Sequence, residues 1–280
     1  MDEAIAGGPG TLFLIPTPLG QDEDPLRVLP PATVEAAIGL DLFVAEHARS
    51  ARAVLSRLPM RRALQEITIR ELNGHTPPTE LPSLLAPLLA GRSAGLLSEA
   101  GCPAVADPGA ALVALAHRHA VPVRPLVGPS SLLLALMASG MNGQAFSFAG
   151  YVPVDSAQRV QRLRELERRS AANGEAVLVI ETPYRNQVLF DALLESLDGE
   201  TRVGVAARLT LSGESTRSKT VAQWRALRPA LERTPTVFSI EAPARAHPGD
   251  GRPQGRAKGR PAGKPASKAR AGGRGTGERR

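Results

Sequence analysis

The sequence predicts an α/β protein of two α/β domains followed by a disordered basic tail. Three observations predict it. Short apolar runs alternate with helix-period segments from Thr11 to about Glu241, the pattern breaks at Met141–Ala145 (MNGQA), and the composition changes at Ala244. In the first half, Thr11–Ile15, Leu40–Ala45, Ser93–Leu97 and Val121–Val127 read as buried strands. The helical patterns there are Ala48–Leu58, Glu80–Leu89, Gly109–His119 and Ser130–Gly140. This strand-then-helix rhythm implies a mostly parallel sheet covered on both faces. After the break come strands Phe146–Tyr151, Ala176–Ile180, Val203–Arg208 and Pro235–Glu241. Helices are expected over Asp155–Ala172, Arg185–Leu197 and near Ala222–Leu231. The expected organisation is a lead over 1–10, an N-terminal domain over 11–143, a C-terminal domain over 144–243 and the tail over 244–280.

Composition narrows the function classes. Hydrophobic residues make up 42% and aromatics 3%, so the core must be Leu, Val and Ala. No run of ~18 apolar residues exists, so no membrane span is expected. The N-terminal MDEAIAGGPG lacks the apolar stretch of a secretory signal, and one cysteine, Cys102, excludes an internal disulfide framework. These features read as a soluble cytoplasmic protein. The net charge of +7 belongs to the tail, where 11 Lys and Arg face two acids, leaving 23 basic against 25 acidic residues before it. A Gly/Pro/Ala/Lys/Arg segment cannot bury enough surface to offset its ordering entropy. It reads either as a nonspecific anchor for phosphate-rich polymers through counterion release or as a solubilising tail.

Open α/β sheets bind ligands beyond the carboxyl ends of their strands, and the loops at those ends are unusual here. Pro16–Asp24 (PTPLGQDED) is a stiff turn whose backbone can approach a ligand closely. Ser98–Gly109 (SEAGCPAVADPG) places small residues around Gly101, leaving room for a flat ligand. Asp107 before Pro108 reads as a helix cap with proline at the first helical position. Gly128-Pro129-Ser130-Ser131 is a tight loop into a helix, where either serine caps the helix or offers a hydroxyl to a ligand. Glu181–Arg185 and Ala207–Thr210 end strands of the second half. Phosphate-loop and nucleophile-elbow motifs are absent. His117 and His119, two apart on a helix, point to different faces, so no metal is expected. Cys102 reads as a small buried residue.

Five segments in this order (TPLGQ from Thr17, SEAGCPAVADPG, VGPSS from Val127, IETPYR from Ile180 and AARLTL from Ala206) carry a resemblance. They resemble the tetrapyrrole-methylase-type superfamily of S-adenosylmethionine-dependent methyltransferases. Within it they are most similar to the branch that methylates a cytidine ribose 2′-hydroxyl of small-subunit ribosomal RNA. The resemblance covers about residues 11–243 and implies a cofactor cleft between the two domains, a homodimer and an RNA partner. Carried over loop by loop, it implies S-adenosylmethionine contacts from Pro18, Ala100, Gly101, Cys102, Val105 (against the adenine), Ser130, Ser131, Thr182 and Thr210. Glu46, Arg49 and Glu99 fall on the substrate side, and no general base is assigned.

The departures cluster on that substrate side. The branch's Glu-Asp-Thr-Arg stands here as Glu46-His47-Ala48-Arg49, and its Ser-Asp-Ala-Gly-Thr-Pro as Ser98–Pro103 with Glu99 and Cys102. Its Tyr-His-Glu-His-Asn appears only as Leu72–Thr76. A methyltransferase acting on a small molecule or a protein, and a noncatalytic RNA-binding relative, are the competing expectations.

Overall fold

The computed structural model describes residues 8–21 and 23–244. The lead, Asp22 and the tail from 245 onward, including the expected disorder of that tail, lie outside the described residues. The first half contains strands β1 (Leu12–Ile15), β2 (Leu42–Ala45), β3 (Thr68–Glu71), β4 (Ala94–Leu97) and β5 (Val123–Pro125). Its helices are α1 (Pro25–Val28), α2 (Pro31–Ile38), α3 (Ala48–Leu55), α4 (Leu81–Leu89), α5 (Gly109–Arg118) and α6 (Ser131–Ser139). The second half contains β6 (Phe146–Tyr151), α7 (Ser156–Asn173), β7 (Ala176–Ile180), α8 (Asn186–Ser196), β8 (Arg202–Ala207), β9 (Ser215–Thr220), α9 (Val221–Leu227) and β10 (Thr236–Glu241).

The first five strands form one sheet in the order β3-β2-β4-β1-β5, every pair parallel. Side chains alternate across a strand, so each strand feeds two cores. Leu12, Leu42, Val44 and Leu96 meet Leu84, Leu85 and Leu88 of α4 and Leu112 and Leu115 of α5. Ile15, Phe43, Ala45 and Leu97 meet Val34 and Ala37 of α2 and Ala51 and Leu55 of α3. The chain leaving β1 therefore goes to one face and the chain leaving adjacent β4 to the other. That divergence is the switch point at which open α/β sheets form a ligand crevice.

The second sheet runs β6-β7-β10-β8-β9. Only β6 and β7 pair in parallel; β10 is antiparallel to both β7 and β8, and β8 to β9. The sheet is thus mixed, because no helix separates β8 from β9 and the chain doubles straight back. One face packs Val177, Val179, Val203, Phe238 and Ile240 against α7, α8 and α9. The opposite face packs Leu178, Ala206 and Val237 against Ala135 and Leu136 of α6 and against Leu19. Helix α6 precedes the MNGQA break in sequence yet packs on the second sheet, and both sheets belong to one compact unit.

Candidate functional site

The loop after β1 and the loop after β4 are tied at the switch point. The Thr17 N–H donates to the Gly101 carbonyl at 2.9 Å, and the Gly101 N–H returns the bond to Thr17 at 3.1 Å. Buried Ser98 completes the tie, its Oγ donating to the Gly101 carbonyl at 2.7 Å. Gly101 has φ +78°, and a Cβ there would lie 3.2 Å from Leu19 Cδ2 and 3.4 Å from the Pro129 carbonyl. Farther along, Ala104 and Ala106 also have positive φ, 64° and 62°. Each such residue costs roughly 1–2 kcal/mol without glycine's freedom. Asp107 holds this conformation: its Oδ1 accepts from the Ala104 and Gly109 N–H groups, each at 2.8 Å. The helix begins at Gly109, as its periodicity implies, with Pro108 as cap residue, one position later than the Asp107 cap reading. Asp107 thus braces the loop in addition to marking a helix start.

A cavity of about 390 Å³ opens above this tie, between the carboxyl ends of β1, β2 and β4 and the face of the second sheet that also carries α6. Eight expected residues line it: Ala100, Gly101, Cys102, Val105, Ser130 and Ser131, with Glu46 and Glu99. Ser130 also caps α6, accepting from the Leu133 N–H at 3.4 Å, so the capping serine is itself a lining residue. Burial pushes the Cys102 thiol up from its ordinary value, partly offset by Ser130, consistent with a protonated, half-buried side chain.

Four expected residues do not line the cavity. Pro18 is buried beside Leu19, which does. Thr182 stands between the lining residues Glu181 and Pro183, its hydroxyl donating to Glu181 at 3.2 Å. Thr210 lies between Leu209 and Leu211 and donates to Glu23 Oε2 at 2.8 Å, joining the first loop to the second half. Arg49 is exposed on the first turn of α3 and forms no ion pair with Glu46. For Pro18, Thr182 and Thr210 it is the chain neighbours that face inward.

Sequence reasoning missed the second-sheet wall: Phe148, Ile180, Ala206 and Val237 line the cavity from β6, β7, β8 and β10. It also missed Glu181, whose carboxylate is almost fully buried and pairs with Arg185 at 3.0 Å. The signal for Glu181 was an acid directly after an apolar strand, inside a loop already singled out. The strand residues carried no signal beyond their apolar character.

A half-apolar cavity of this size, walled in part by the positive-φ backbone of Gly101 and Ala106, fits a folded nucleoside ligand. Comparisons with known proteins agree with that fit. Residues 29–224 match the family Tetrapyrrole (Corrin/Porphyrin) Methylases. A relative in Mesorhizobium japonicum, ribosomal RNA small subunit methyltransferase I, is 36% identical over 211 residues, covering 75% of this chain and 67% of that protein. The protein of the same name in Vibrio cholerae is 28% identical, covering 79% and 73%. Among solved structures, the methyltransferase CobJ aligns with a TM-score of 0.54 at 18% identity, over 84% of this chain and 95% of its own. The cobalt precorrin-4 methyltransferase CbiF aligns with a TM-score of 0.52 at 13% identity, over 82% and 94%; these two likenesses concern the fold. The chain belongs to the tetrapyrrole methylase family of S-adenosylmethionine-dependent methyltransferases. It is an enzyme, and the noncatalytic expectation is set aside.

Proposed function

We propose that this chain methylates a ribose 2′-hydroxyl of small-subunit ribosomal RNA. The observation that carries the reading is convergence: loops far apart in the chain, all resembling that branch, meet at one cavity. Support for RNA as acceptor comes from the names of the relatives. Ala100, Gly101, Cys102, Val105, Ser130 and Ser131 would hold S-adenosylmethionine, with Pro18, Thr182 and Thr210 setting the wall from behind. The bound cofactor supplies an electrophilic methyl on a sulfonium. The protein's part is then alignment and exclusion of water, which supply much of the barrier reduction in such a displacement. Glu46 and Glu99 face the acceptor side, with Arg49, exposed on α3, as a further acceptor contact.

The two sheets correspond to domains over 11–143 and 144–243, with α6 docked across the boundary. The 244–280 tail anchors RNA through counterion release, and the protein works in the cytoplasm. Among the described residues no helix is long and apolar enough to cross a membrane. A homodimer is supported by Leu133 and Met137, which stand exposed one turn apart on α6. The test uses labelled cofactor and small ribosomal subunits or naked RNA from a strain lacking the modification. Label in a ribose-methylated cytidine is expected. Unlabelled RNA from a protein that binds S-adenosylmethionine would overturn the RNA reading and favour a small-molecule or protein acceptor.

A further inference from the structure

Four carboxylates line the cavity, and three of them are engaged. Asp107 braces its own loop through two backbone N–H groups. Glu181 Oε1 accepts from the Thr182 N–H at 2.8 Å and its Oε2 pairs with Arg185. Glu99 meets His47 Nδ1 at 3.2 Å. Glu46 is different. It stands at the carboxyl end of β2, in the row of strand ends that floors the cavity, half-buried and facing in. No hydrogen bond or ion pair joins its carboxylate to another described residue; only burial and the charges of Asp107, Glu99 and His47 act on it. A half-buried carboxylate with both oxygens free of described partners, at the edge of a ligand cavity, is positioned to take a proton.

We propose that Glu46, with the His47–Glu99 pair standing beside it, accepts the proton of the acceptor hydroxyl. The assignment rests on the methyl-transfer reading above. The hydroxyl oxygen bonds to the methyl carbon as the carbon–sulfur bond breaks, its electron pair going to sulfur, and the hydroxyl proton passes to Glu46. From there it leaves to solvent through the open mouth.

The electrostatics have the right direction. Burial raises the Glu46 carboxyl above its ordinary value, Asp107 and then Glu99 raise it further, and His47 works the other way. These groups face Glu46 from the β4–α5 loop and from its own strand end. A base is most effective when its pKa approaches the working pH, so a raised carboxylate outperforms a surface one. His47 and Glu99 are two of the positions at which this chain departs from the branch it resembles, and the structure places them in contact. The two departures form one side-chain pair next to the proton acceptor.

The test compares wild type with Glu46→Gln, Glu46→Asp, Glu99→Gln and His47→Ala. S-adenosylmethionine affinity is read by calorimetry, and single-turnover methylation of RNA is followed across pH. Glu46→Gln is expected to bind the cofactor as wild type does and to lose about 100-fold or more in rate, with the acid limb of the profile gone. Glu46→Asp should recover part of that rate. Glu99→Gln should move the acid limb to lower pH and His47→Ala to higher pH, each following the direction in which that neighbour acts on Glu46. Wild-type rates in Glu46→Gln, or loss of its cofactor binding, overturn the assignment while RNA methylation by wild type stands. A wild type that binds cofactor but methylates no RNA overturns the reading beneath it, and the assignment with it.

Discussion

Gly101 concentrates three demands in one residue. Its φ of +78° disfavours any side chain, its backbone ties the loops after β1 and β4, and its missing Cβ lets Leu19 and the Pro129 carbonyl pack close. Gly101→Ala should cost about 1–2 kcal/mol of stability from backbone strain alone, measured by urea unfolding. Gly101→Val should in addition abolish cofactor binding in calorimetry. The sequence implied only the steric part; the strain emerges from the fold. Asp107 gives a pH-dependent prediction. Burial raises its carboxyl above the ordinary value against the pull of two backbone N–H groups. A carboxyl raised in the folded state binds protons more tightly there than in the unfolded chain. Its contribution is then most favourable below the unfolded pKa near 3.8 and is lost as pH rises through the raised value. Asp107→Asn keeps an oxygen for both N–H groups and removes the buried charge. The variant should gain on wild type at neutral pH, and the gain should shrink as pH falls into the ordinary carboxylate range. Parallel unfolding curves at low and neutral pH would check this; a gain independent of pH would refute it.

At the scale of elements, the central strands and the edge strands β5 and β6 were legible, whereas the edge strands β3 and β9 were not. β2, β4, β7 and β10 are buried along nearly their whole length and read as apolar runs. β3 (TIRE) and β9 (STRSKT) lie at sheet edges, at least partly exposed throughout, and carry no such run. Their strand character comes from pairing with β2 and β8, which a local pattern cannot register. Helix α2, inside a proline-rich stretch, was missed for a related reason. It starts at Pro31, a residue that reads as a breaker but is tolerated at the first helical position. Helix α9 shows how firmly an element is held once placed. Its capping box joins Thr220 to Gln223. Trp224 is buried, donates from Nε1 to the Val203 carbonyl at 2.8 Å and meets Phe190 edge-on at 5.3 Å. Trp224→Phe, which strands that carbonyl and leaves a gap, should cost roughly 2–3 kcal/mol in urea unfolding. Cofactor affinity should change little, because Trp224 lies on the sheet face away from the cavity.

At the scale of the whole molecule, charge and chemistry are separated along the chain. The residues before the tail carry a small negative net charge, the cavity is lined by four carboxylates, and the basic excess gathers beyond residue 243. A polyanionic acceptor would thus be drawn by a segment separate in sequence from the methyl-transfer loops. Deleting residues 244–280 should weaken RNA binding and make its salt dependence shallower, by roughly 0.7 in log–log slope for each phosphate that the tail neutralises. Calorimetric cofactor affinity should not change. An unaltered salt slope would remove the tail from RNA recognition. By itself the sequence determined the α/β class, the central strands, the loops around the cavity and the family, because local periodicity and short loop motifs are written in adjacent residues. Only the tertiary structure decided that the second sheet is mixed, that α6 docks across the break, and which residue of each loop faces inward. It alone left Glu46 without a partner among the described residues and brought His47 to Glu99. Those outcomes depend on side chains dozens of residues apart competing for one cavity wall, which no local pattern encodes.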